Sequence, residues 1–539
     1  MMRRNTPCLL AILSSLSLST AAQQLLLEVG DGSLGAPVSS VWAEVVNDQG
    51  EWVLNILLEG VDPEFNGGLL LGDVTNGATT FLQEGTPIPG APGLVIRGVY
   101  AVQIDDEGAI ASIAAFAPPG TTLIGPDIPS ALFFGPELVL GTGSVTTSPD
   151  LTPGSTYDGL EQVKSNERGR HLVDVTVDDP ALPGQPYKIL LLVELDEQGE
   201  LVQERVVVRE GEVLPGQTTP VANIRDGPFD FALNDLGEAL FVVRNEGPSV
   251  TNHGIYLGDT LLVRDGDPSP VPGRNWALRT PSVDLNDNRD YVVRAALTGS
   301  ADGDLLIAKN GVKLVQENDT LPAIAPFRFF DFGSPVSISN SNEVHWWGTW
   351  FTDTSSGQGL FVDHELLIQT GSVLPNGVVT LLGPNAVISP NGRYILLRAW
   401  VDGVLGVYLL DRGIHAHHEL VNGSGANPLC LRGVNPPVLG GAWTVELDTG
   451  ASPGATASAL FGHAAPLDGL TLGIGELLVD VSSQRFFFST SVASGGVDLL
   501  SLPVPAAPTL IGLTAHAQAA LAGGGPTRLC NAAAATIGN

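Results

Sequence analysis

Three closely spaced histidines, His415, His417 and His418, have the chemistry to ligate a metal ion, because imidazole is a common metal ligand. Their spacing argues against a shared ion. Consecutive residues of an extended strand point to opposite faces, so His417 and His418 would face away from each other. We therefore expect these residues to lie in a solvated linker between two domains, and we predict no metal site there.

A cluster of aromatic residues has the composition of a sugar-stacking surface. It comprises His345, Trp346, Trp347 and Trp350, and aromatic side chains are common in ligand sites. Large aromatic side chains also dominate protein cores, and packing between two sheets is the simpler use for this cluster. The sequence leaves both uses open.

Runs of Asp and Asn supply the oxygen ligands that Ca²⁺ prefers. The clearest run is Asp-Leu-Asn-Asp-Asn at residues 284–288, and Asp353 lies in a later loop. The same residue types are favoured in tight turns, because they tolerate left-handed backbone and hydrogen-bond locally. Turn formation is the simpler explanation. We therefore predict no bound cofactor, with Ca²⁺ as the one ion that the composition favours.

Local signatures of catalysis are missing from the sequence. The chain has no Gly-x-Ser-x-Gly, His-Glu-x-x-His or P-loop motif. The Ser-x-Asp-x-Gly-x-x-Trp box of sialidase propellers has one partial echo, Asn-Asp-Gln-Gly-Glu-Trp at residues 47–52. We predict no catalytic residues.

The composition indicates an acidic protein with few helices. Of 539 residues, 65 are Gly and 39 are Pro, and both break helices. Hydrophobic residues make up 43%, which is enough for a core, while 25 Lys and Arg against 58 Asp and Glu give a net charge of −33. Because nucleic-acid binding depends on basic clusters, we expect no nucleic-acid partner.

The N-terminus has the pattern of a secretory signal peptide. Arg3 and Arg4 precede a short apolar run, and Thr20-Ala21-Ala22 supplies small residues for cleavage. We predict a signal peptide at residues 1–22 and no membrane span, since a spanning helix needs about 20 apolar residues. The mature protein is expected outside the cell, at its surface or in the periplasm.

A repeated phrase fills most of the chain. Seven times, an alternating strand leads through an Asn/Asp-rich turn into a second strand, and in most copies a second hairpin and an acidic Gly/Pro loop follow. Two hairpins give four strands, the content of one propeller blade. We predict an all-β protein whose residues 23–414 form a β-propeller of about seven blades. An open β-solenoid or a row of sandwiches is the alternative.

The ends of the repeat region indicate how the ring closes. The last copy stops near Gly413 without its final strand, and residues 25–37 resemble that missing piece. Residues 262–268 show the same strand and loop within an internal copy. We predict that the N-terminal strand completes the last blade and removes an exposed sheet edge.

The composition changes after the repeats. We predict a linker at residues 415–421 and a small β-sandwich at residues 422–539, because this region has many short strands and no helix pattern. It contains Cys430 and Cys530, and export permits a disulfide between them. Whether the two sulfurs meet is left open.

Several of these phrases resemble a class of exported, propeller-like repeat proteins of planctomycete-type bacteria. The resemblance rests on Asn-Asp-x-Gly at residues 234–237, Gly-Ile-Tyr-Leu-Gly-Asp at 254–259 and Arg-Asp-Gly-Asp-Pro at 264–268. The tail is similar to a C-terminal module of many such proteins through Cys430, Leu-Pro-Val-Pro at 502–505 and residues 508–518 and 531–538. The function of this class is unassigned, so the resemblance implies no catalytic residues.

Together these observations predict an exported, non-catalytic binding or scaffold protein. An acidic propeller would present its loops to an extracellular glycan or protein, and the C-terminal module would dock or sort it. We expect a monomer. The first alternative is a hydrolase or lyase that acts on extracellular polysaccharide in the propeller channel, and the second is a purely structural component of the cell surface.

Overall fold

The structure, a computed structural model, describes residues 22–62, 65–89, 91–121, 128–196, 198–224, 227, 229–248, 252–299, 303–351 and 356–539. The expected signal peptide, apart from Ala22, and Asp353 lie outside these residues.

The repeats fold into seven antiparallel blades, as predicted. The chain starts with β1 (Ala22–Glu28) and continues through β2 (Val38–Val46), β3 (Trp52–Leu58), β4 (Gly67–Gly72) and β5 (Thr79–Gln83) of blade 1; β6 (Val95–Ile104), β7 (Ile110–Ala117), β8 (Ser130–Phe134) and β9 (Glu137–Gly141) of blade 2; β10 (Thr156–Ser165), β11 (Arg170–Asp178), β12 (Tyr187–Leu195) and β13 (Leu201–Arg209) of blade 3; β14 (Val221–Ile224), β15 (Phe231–Leu233), β16 (Ala239–Asn245), β17 (His253–Leu257) and β18 (Thr260–Arg264) of blade 4; β19 (Trp276–Leu285), β20 (Tyr291–Leu297), β21 (Leu305–Lys309) and β22 (Val312–Gln316) of blade 5; β23 (Phe329–Ile338), β24 (Val344–Phe351), β25 (Ser356–Val362) and β26 (Glu365–Gln369) of blade 6; and β27 (Val373–Leu374), β28 (Gly377–Ile388), β29 (Tyr394–Val401) and β30 (Val404–Asp411) of blade 7.

The N-terminal strand closes the ring, as predicted. β1 pairs antiparallel with β30 and gives blade 7 its outermost long strand. One strand of each blade lies innermost and contacts the innermost strands of both neighbouring blades, so these strands surround a central channel. The innermost strands are β2, β6, β10, β14 with β15, β19, β23 and β28. In blade 4 that strand is in two parts, because β14 and β15 both pair with β16. Because the blades pack face to face, closing the ring leaves no terminal blade with an exposed sheet face, as an open row of blades would have.

Each of the seven interfaces between neighbouring blades has its own hydrophobic core. The interface of blades 7 and 1, for example, buries Leu27 of β1 beside Val41 and Tyr394. Alternate residues of every strand face opposite sides of the sheet, so an apolar residue at each second position supplies the two interfaces that flank a blade. Burial of these faces holds the blades together without helices.

The C-terminal module is built from three small sheets. It comprises β31 (His417–Val421), β32 (Leu431–Gly433), β33 (Ala442–Asp448), β34 (Ala457–His463), β35 (Pro466–Leu472), β36 (Gly475–Val479), β37 (Arg485–Val492), β38 (Val497–Pro503), β39 (Thr514–Ala522) and β40 (Arg528–Thr536). A five-stranded sheet has the order β31-β40-β39-β34-β37, a three-stranded sheet the order β32-β33-β38, and β35 pairs with β36. Trp443 and Leu460 belong to the core between the larger two sheets.

The structure differs from the expected linker at residues 415–421. Residues 417–421 form β31, which pairs with β40 at the edge of the five-stranded sheet. His418 and Leu420 are buried whereas His417, Glu419 and Val421 are only partly covered, so this short run follows the alternation of a half-buried strand. The prediction of a solvated, histidine-rich linker was therefore wrong for these residues.

Candidate functional site

Seven turns, one from each blade, surround the channel at one face of the propeller. They join the innermost strand to the second strand at residues 47–50, 105–108, 166–169, 234–237, 286–289, 339–342 and 389–392. In the first six turns, the side-chain oxygen of the first residue accepts a hydrogen bond from the N–H of the fifth residue. Short polar side chains at this position thus replace a backbone acceptor and fix the turn.

The fourth residue of every turn has a left-handed backbone. Five turns place glycine there, and Arg289 and Asn342 hold φ angles of 65° and 66° in the other two. Glycine adopts this conformation without strain, which explains its recurrence in the repeated phrase.

The second residues of the turns form a continuous ring of hydrogen bonds. In the first five turns, the N–H of the second residue donates to the side chain of the second residue in the next blade. These bonds run from Asp48 to Asp106 (2.8 Å), Asp106 to Glu167 (2.5 Å), Glu167 to Asp235 (2.9 Å), Asp235 to Asp287 (2.6 Å) and Asp287 to Asn340 (3.0 Å). We call these residues, with Pro390 and Asn391, the axial ring.

Blade 7 closes the axial ring with a different geometry. Pro390 occupies its second position and has no N–H to donate. The N–H of Asn340 donates to the Pro390 carbonyl oxygen at 2.6 Å. The N–H of Asn391 then donates to Asp48 Oδ1 at 2.8 Å. Every blade is therefore joined to the next one around the axis.

The C-terminal module contacts the turn face beside the axial ring. Asn288 Nδ2 donates to the His418 carbonyl oxygen at 2.6 Å, and Arg432 forms an ion pair with Asp290 at 2.6 Å. Leu236 packs against the core of the module. Through these contacts the module covers the turn-side mouth of the channel.

Glu419 of β31 brings a further carboxyl group to this mouth. Burial raises its pKa well above the ordinary value, and the charges of Asp287 and Asp48 raise it further. Burial also raises the pKa of Asp106 to about 6, of Asp235 to about 8 and of Glu167 to about 10. Ring carboxylates add to the shifts of Asp235 and Glu167, whereas the shift of Asp106 is increased by the nearby charges of Glu107, Asp105 and Glu51. Ionised carboxylates so close together would repel each other strongly. Protonation of some of these groups removes that repulsion in the buried site.

The channel itself is a cavity of about 420 Å³ lined by residues from all seven blades. Its polar lining includes Glu44, Gln103, Gln162, Lys164 and Asp284. Among the lining residues that the structure describes there is no arginine and no histidine.

Lys164 is the cationic group of this lining. Burial lowers the pKa of its ammonium, while the charge of Asp284 acts in the opposite direction. Burial raises the pKa of Asp284 to about 6, and Asp284 Oδ2 accepts the Ile338 N–H at 2.9 Å. Within the described part of the chain, the Lys164 ammonium has no hydrogen bond and no ion pair within 4 Å. It is therefore available to a ligand in the channel.

Glu44 lies between blades 7 and 1. Burial raises its pKa to about 7, against the smaller opposing effects of a hydrogen bond with Asn55 and of the Arg398 charge. The Arg398 guanidinium lies over the Trp42 ring, 5.9 Å from its centroid. At neutral pH, Glu44 can therefore donate or accept a proton.

A second set of acidic residues also has structural partners. In several blades, an acidic residue just after the outermost strand accepts a backbone hydrogen bond. The donor is the N–H of a residue at or next to the start of the third strand of the same blade. The acidic cases are Glu84 with Gly67 (2.9 Å), Glu210 with Lys188 (3.0 Å), Asp265 with His253 (3.1 Å) and Glu317 with Asp304 (3.0 Å). Repetition of these acceptors accounts for part of the acidity of the chain.

The structure separates the candidate residues of the sequence. Trp346 and Trp350 are buried in the core between blades 5 and 6, and Trp346 stacks on Phe361 with ring centroids 4.4 Å apart. His345 is buried on the opposite face of β24, where its Nε2 lies 3.4 Å from Arg412 Nη1, and burial lowers its pKa to about 3. These side chains pack the core and present no stacking surface.

The remaining candidates have structural positions as well. Asp287 belongs to the axial ring and Asp284 to the channel lining. No group of three or more His, Cys, Asp or Glu side chains is arranged to hold a metal ion in the described ranges. Cys430 and Cys530, whose pairing the sequence left open, form a disulfide with Cα atoms 5.5 Å apart.

Lys164 and Glu44 were missed by the sequence reasoning. Neither belongs to a motif, and both occupy ordinary positions in alternating strands. Their shared place in the channel lining depends on closure of the ring, which brings the innermost strands β2 and β10 to one axis.

Comparison with other proteins gives one family match and several distant structural likenesses. Residues 193–384 match the sequence profile of DUF7453, a family of unknown function. The chain is similar to the Dos1 propeller (8% identity, TM-score 0.30, 70% of this chain and 96% of that one). It is also similar to a PL25 ulvan lyase (10%, 0.25, 68% and 78%) and to Trypanosoma rangeli sialidase (8%, 0.31, 86% and 92%).

At these identities and TM-scores the likenesses concern the fold alone. No curated protein matches the sequence. No helix in the described residues is long and apolar enough to cross a membrane.

Proposed function

We propose that this protein is an exported, non-catalytic binding protein that takes a polar glycan segment into its central channel. One observation carries the proposal: the channel lining combines amides, carboxyls and an unpartnered ammonium, with the ring of turns covered at one end by the C-terminal module. Neutral sugars are recognised by such donors and acceptors in a partly apolar cavity.

The composition of the channel supports binding over catalysis. The described lining has no arginine cluster and no histidine that would stabilise a developing charge or transfer a proton. Most acidic groups of the axial ring already accept backbone hydrogen bonds, so they serve the scaffold.

The C-terminal module has a separate role in this proposal. It covers the turn face, which leaves the opposite face and the loops between blades for ligand entry. Tyr100, which is 45% exposed, lines the channel toward that opposite side. Docking or sorting of the protein at the cell surface would use the outer surface of the module.

A second candidate function is favoured by one specific observation. Glu44 has a pKa of about 7 and Asp284 a pKa of about 6, and both line the same channel. A carboxyl protonated near neutral pH and a second carboxyl in the same cavity are the two kinds of group that glycoside hydrolysis uses. A hydrolase or lyase acting on extracellular polysaccharide is therefore the alternative.

A glycan array with product analysis distinguishes the two candidates. The mature protein is incubated with the array, with and without Ca²⁺, and both bound protein and released sugars are recorded. We expect binding without release, and no effect of Ca²⁺. Release that is lost in Glu44→Gln would establish the enzyme, and the absence of any binding would contradict both candidates.

A further inference from the structure

Three guanidinium groups meet in a crevice between the propeller and the C-terminal module. Arg168, Arg170 and Arg205 of blade 3 line a cavity of about 250 Å³, together with the turn of blade 4 and residues 422–425 of the module. Such a concentration of positive charge is unusual in a chain with 25 basic and 58 acidic residues. We call this cavity the arginine crevice.

The strand register of blade 3 places two of these arginines on one face. Arg170 of β11 lies opposite Glu194 of β12, and Arg205 of β13 lies opposite Leu192 of β12. Directly opposed residues share a face of the sheet. Leu192 packs in the core between blades 3 and 4, so this face is the one turned toward blade 4.

The position of Arg170 is fixed by contacts with blade 4. Its Nη1 donates weakly to the Leu236 carbonyl oxygen at 3.5 Å, and its Nη2 lies 3.6 Å from Glu194 Oε1. The guanidinium lies so close to Gly237 that a Cβ there would be 2.8 Å from Nη1. Glycine at this position therefore leaves the space that Arg170 occupies.

The other two guanidinium groups are free to bind a ligand. In the described residues, neither Arg168 nor Arg205 makes a side-chain hydrogen bond or an ion pair within 4 Å. By contrast, Arg393 pairs with Asp411 at 2.9 Å and Arg412 with Glu343 at 2.7 Å.

The module supplies a firm third wall. Ser424 donates from both its N–H (3.0 Å) and its Oγ (2.9 Å) to Glu476 Oε2, and the Gly425 N–H donates to the Asn422 carbonyl oxygen at 2.7 Å. The loop is thus held by its own hydrogen bonds. An occupant of the crevice would touch the propeller and the module at once.

The acidic residues of the crevice leave a positive balance. Asp235 also lines it, but its Oδ1 accepts the Glu167 N–H within the axial ring. Glu194 also lines the crevice, and its Oε1 lies 3.6 Å from Arg170 Nη2. Three guanidinium groups against two carboxyls leave an excess cation, and burial raises the pKa of Asp235 to about 8 although the Arg168 charge acts in the opposite direction.

We propose that the arginine crevice binds an oxyanion, namely a carboxylate, sulfate or phosphate group. Arginine presents several donors in a rigid plane and binds such groups through paired, charge-assisted hydrogen bonds. The net charge of the chain does not prevent this, because at physiological salt charges more than about 8 Å away are largely screened. The site is distinct from the channel and does not rest on the proposed function.

The test is an isothermal titration of the full mature protein at constant ionic strength. The probes are inorganic sulfate, inorganic phosphate, glucuronate and a sulfated oligosaccharide. We compare wild type with R168Q/R205Q and with R244Q, whose arginine is exposed on β16 outside the crevice. We expect saturable binding that weakens about tenfold or more in R168Q/R205Q, since charge-assisted hydrogen bonds are lost, and is unchanged in R244Q.

The outcomes separate the sources of the anion. Binding of the inorganic ions supports a site for free anions, while binding of the oligosaccharide alone supports a polymer-borne group. Equal affinities of wild type and R168Q/R205Q, or no binding of any probe, would overturn the proposal. Should the double variant fail to fold, the single variant R205Q, whose exposed side chain has no partner to lose, gives the same comparison.

Discussion

The carboxyl groups of the axial ring act as hydrogen-bond acceptors before they act as charges. Asp235 illustrates this, because its Oδ1 receives the Glu167 N–H at 2.9 Å while burial raises its pKa to about 8. An amide oxygen performs the same role at Asn340, which receives the Asp287 N–H. Each ring position therefore requires a side chain that is long enough to place an acceptor oxygen against the N–H of the preceding blade.

This requirement predicts opposite results for two substitutions of one residue. Asp235→Asn keeps the acceptor and removes the ionisable group, so its free energy of unfolding at pH 8 should equal or exceed that of wild type. Asp235→Ala leaves the buried Glu167 N–H without an acceptor and should cost about 1–3 kcal/mol. Urea unfolding followed by tryptophan fluorescence measures both. Equal destabilisation by Asn and Ala would argue against the acceptor role.

A second residue-level prediction concerns the left-handed turn position. Asn342 holds a φ of 66° where five other turns have glycine. Asn342→Gly should be nearly neutral, because glycine adopts this backbone freely. Asn342→Ala should cost about 1–2 kcal/mol, because alanine lacks the short polar side chain that lets Asn tolerate the left-handed region. Thermal unfolding of the two variants checks the difference. An alanine variant as stable as the glycine variant would contradict it.

The sequence predicted the turns but could not predict the ring. Asn, Asp and Gly mark each turn through local backbone chemistry, which sequence reasoning reads well. The bonds that link the first six turns of the ring join residues 52 to 68 positions apart, such as Asp235 with Asp287 and Glu167 with Asp235, and the bond that closes the ring joins Asn391 to Asp48. Their pairing exists only once the blades stand side by side. For the same reason, Lys164 and Glu44 carried no signal as channel residues.

Among the strands, β1 is the one that closes the propeller ring, because it pairs the N-terminal segment with the last blade. It covers β30, which would otherwise be an exposed sheet edge, and it places Leu27 in the core between blades 7 and 1. An N-terminal strand in the last blade joins the two ends of the repeat region through backbone hydrogen bonds. Loss of this strand should weaken the ring as a whole and expose an edge prone to association.

Substitutions within β1 test this role. Leu27 is 4% exposed, and Leu27→Ala should lower the free energy of unfolding by about 2–5 kcal/mol, because it leaves a cavity in a core. Gln24 is exposed on the same strand, so Gln24→Ala is a matched control with a change within about 0.5 kcal/mol. Calorimetry measures both variants. A small effect of Leu27→Ala would mean that closure does not depend on β1.

The elements also mark where sequence reasoning failed. The N-terminal strand was predicted because its sequence repeats an internal phrase, and repetition reports architecture directly. β31 was missed because it is five residues long and contains two adjacent histidines, a composition typical of solvated loops. Its strand structure is imposed by pairing with β40, more than 100 residues later in the chain. Such tertiary pairing leaves little trace in a short segment.

At the scale of the whole molecule, buried acids make stability depend on pH. Burial raises the pKa of Asp235 to about 8 and of Glu167 to about 10. A carboxyl with a raised folded-state pKa holds its proton more tightly when folded. Its contribution is therefore fully present below the unfolded pKa, near 4, and is lost as the pH rises through the folded value.

One ion pair has the opposite dependence. Burial pushes the pKa of Glu343 upward, but the hydrogen bond and charge of Arg412 outweigh it and lower the pKa to about 2. That contribution is present above about pH 4.5 and is lost as the pH falls toward 2. The two effects together place maximum stability in the mildly acidic range.

We therefore expect the melting temperature to be highest near pH 4–5 and to fall as the pH rises to 9. Glu419→Gln removes the carboxyl that β31 brings to the axial ring. The melting temperature of this variant should therefore fall less steeply as the pH rises, and at pH 8 it should lie above that of wild type. Glu137→Gln, an exposed change on β9, serves as the control. Scanning calorimetry across pH provides the measurement. Parallel profiles for wild type and Glu419→Gln would refute this role of Glu419.

If the channel binds the ligand of this protein, substitution of Lys164 should change the affinity for that ligand. The affinity of the best glycan from the array is measured for wild type, Lys164→Gln and Lys313→Gln. Lys313 is a matched control, because it lies on the outermost strand of blade 5 and pairs with Asp319. We expect Lys164→Gln to weaken binding by about tenfold or more and Lys313→Gln to have no effect. Equal affinities for all three proteins would contradict a channel site.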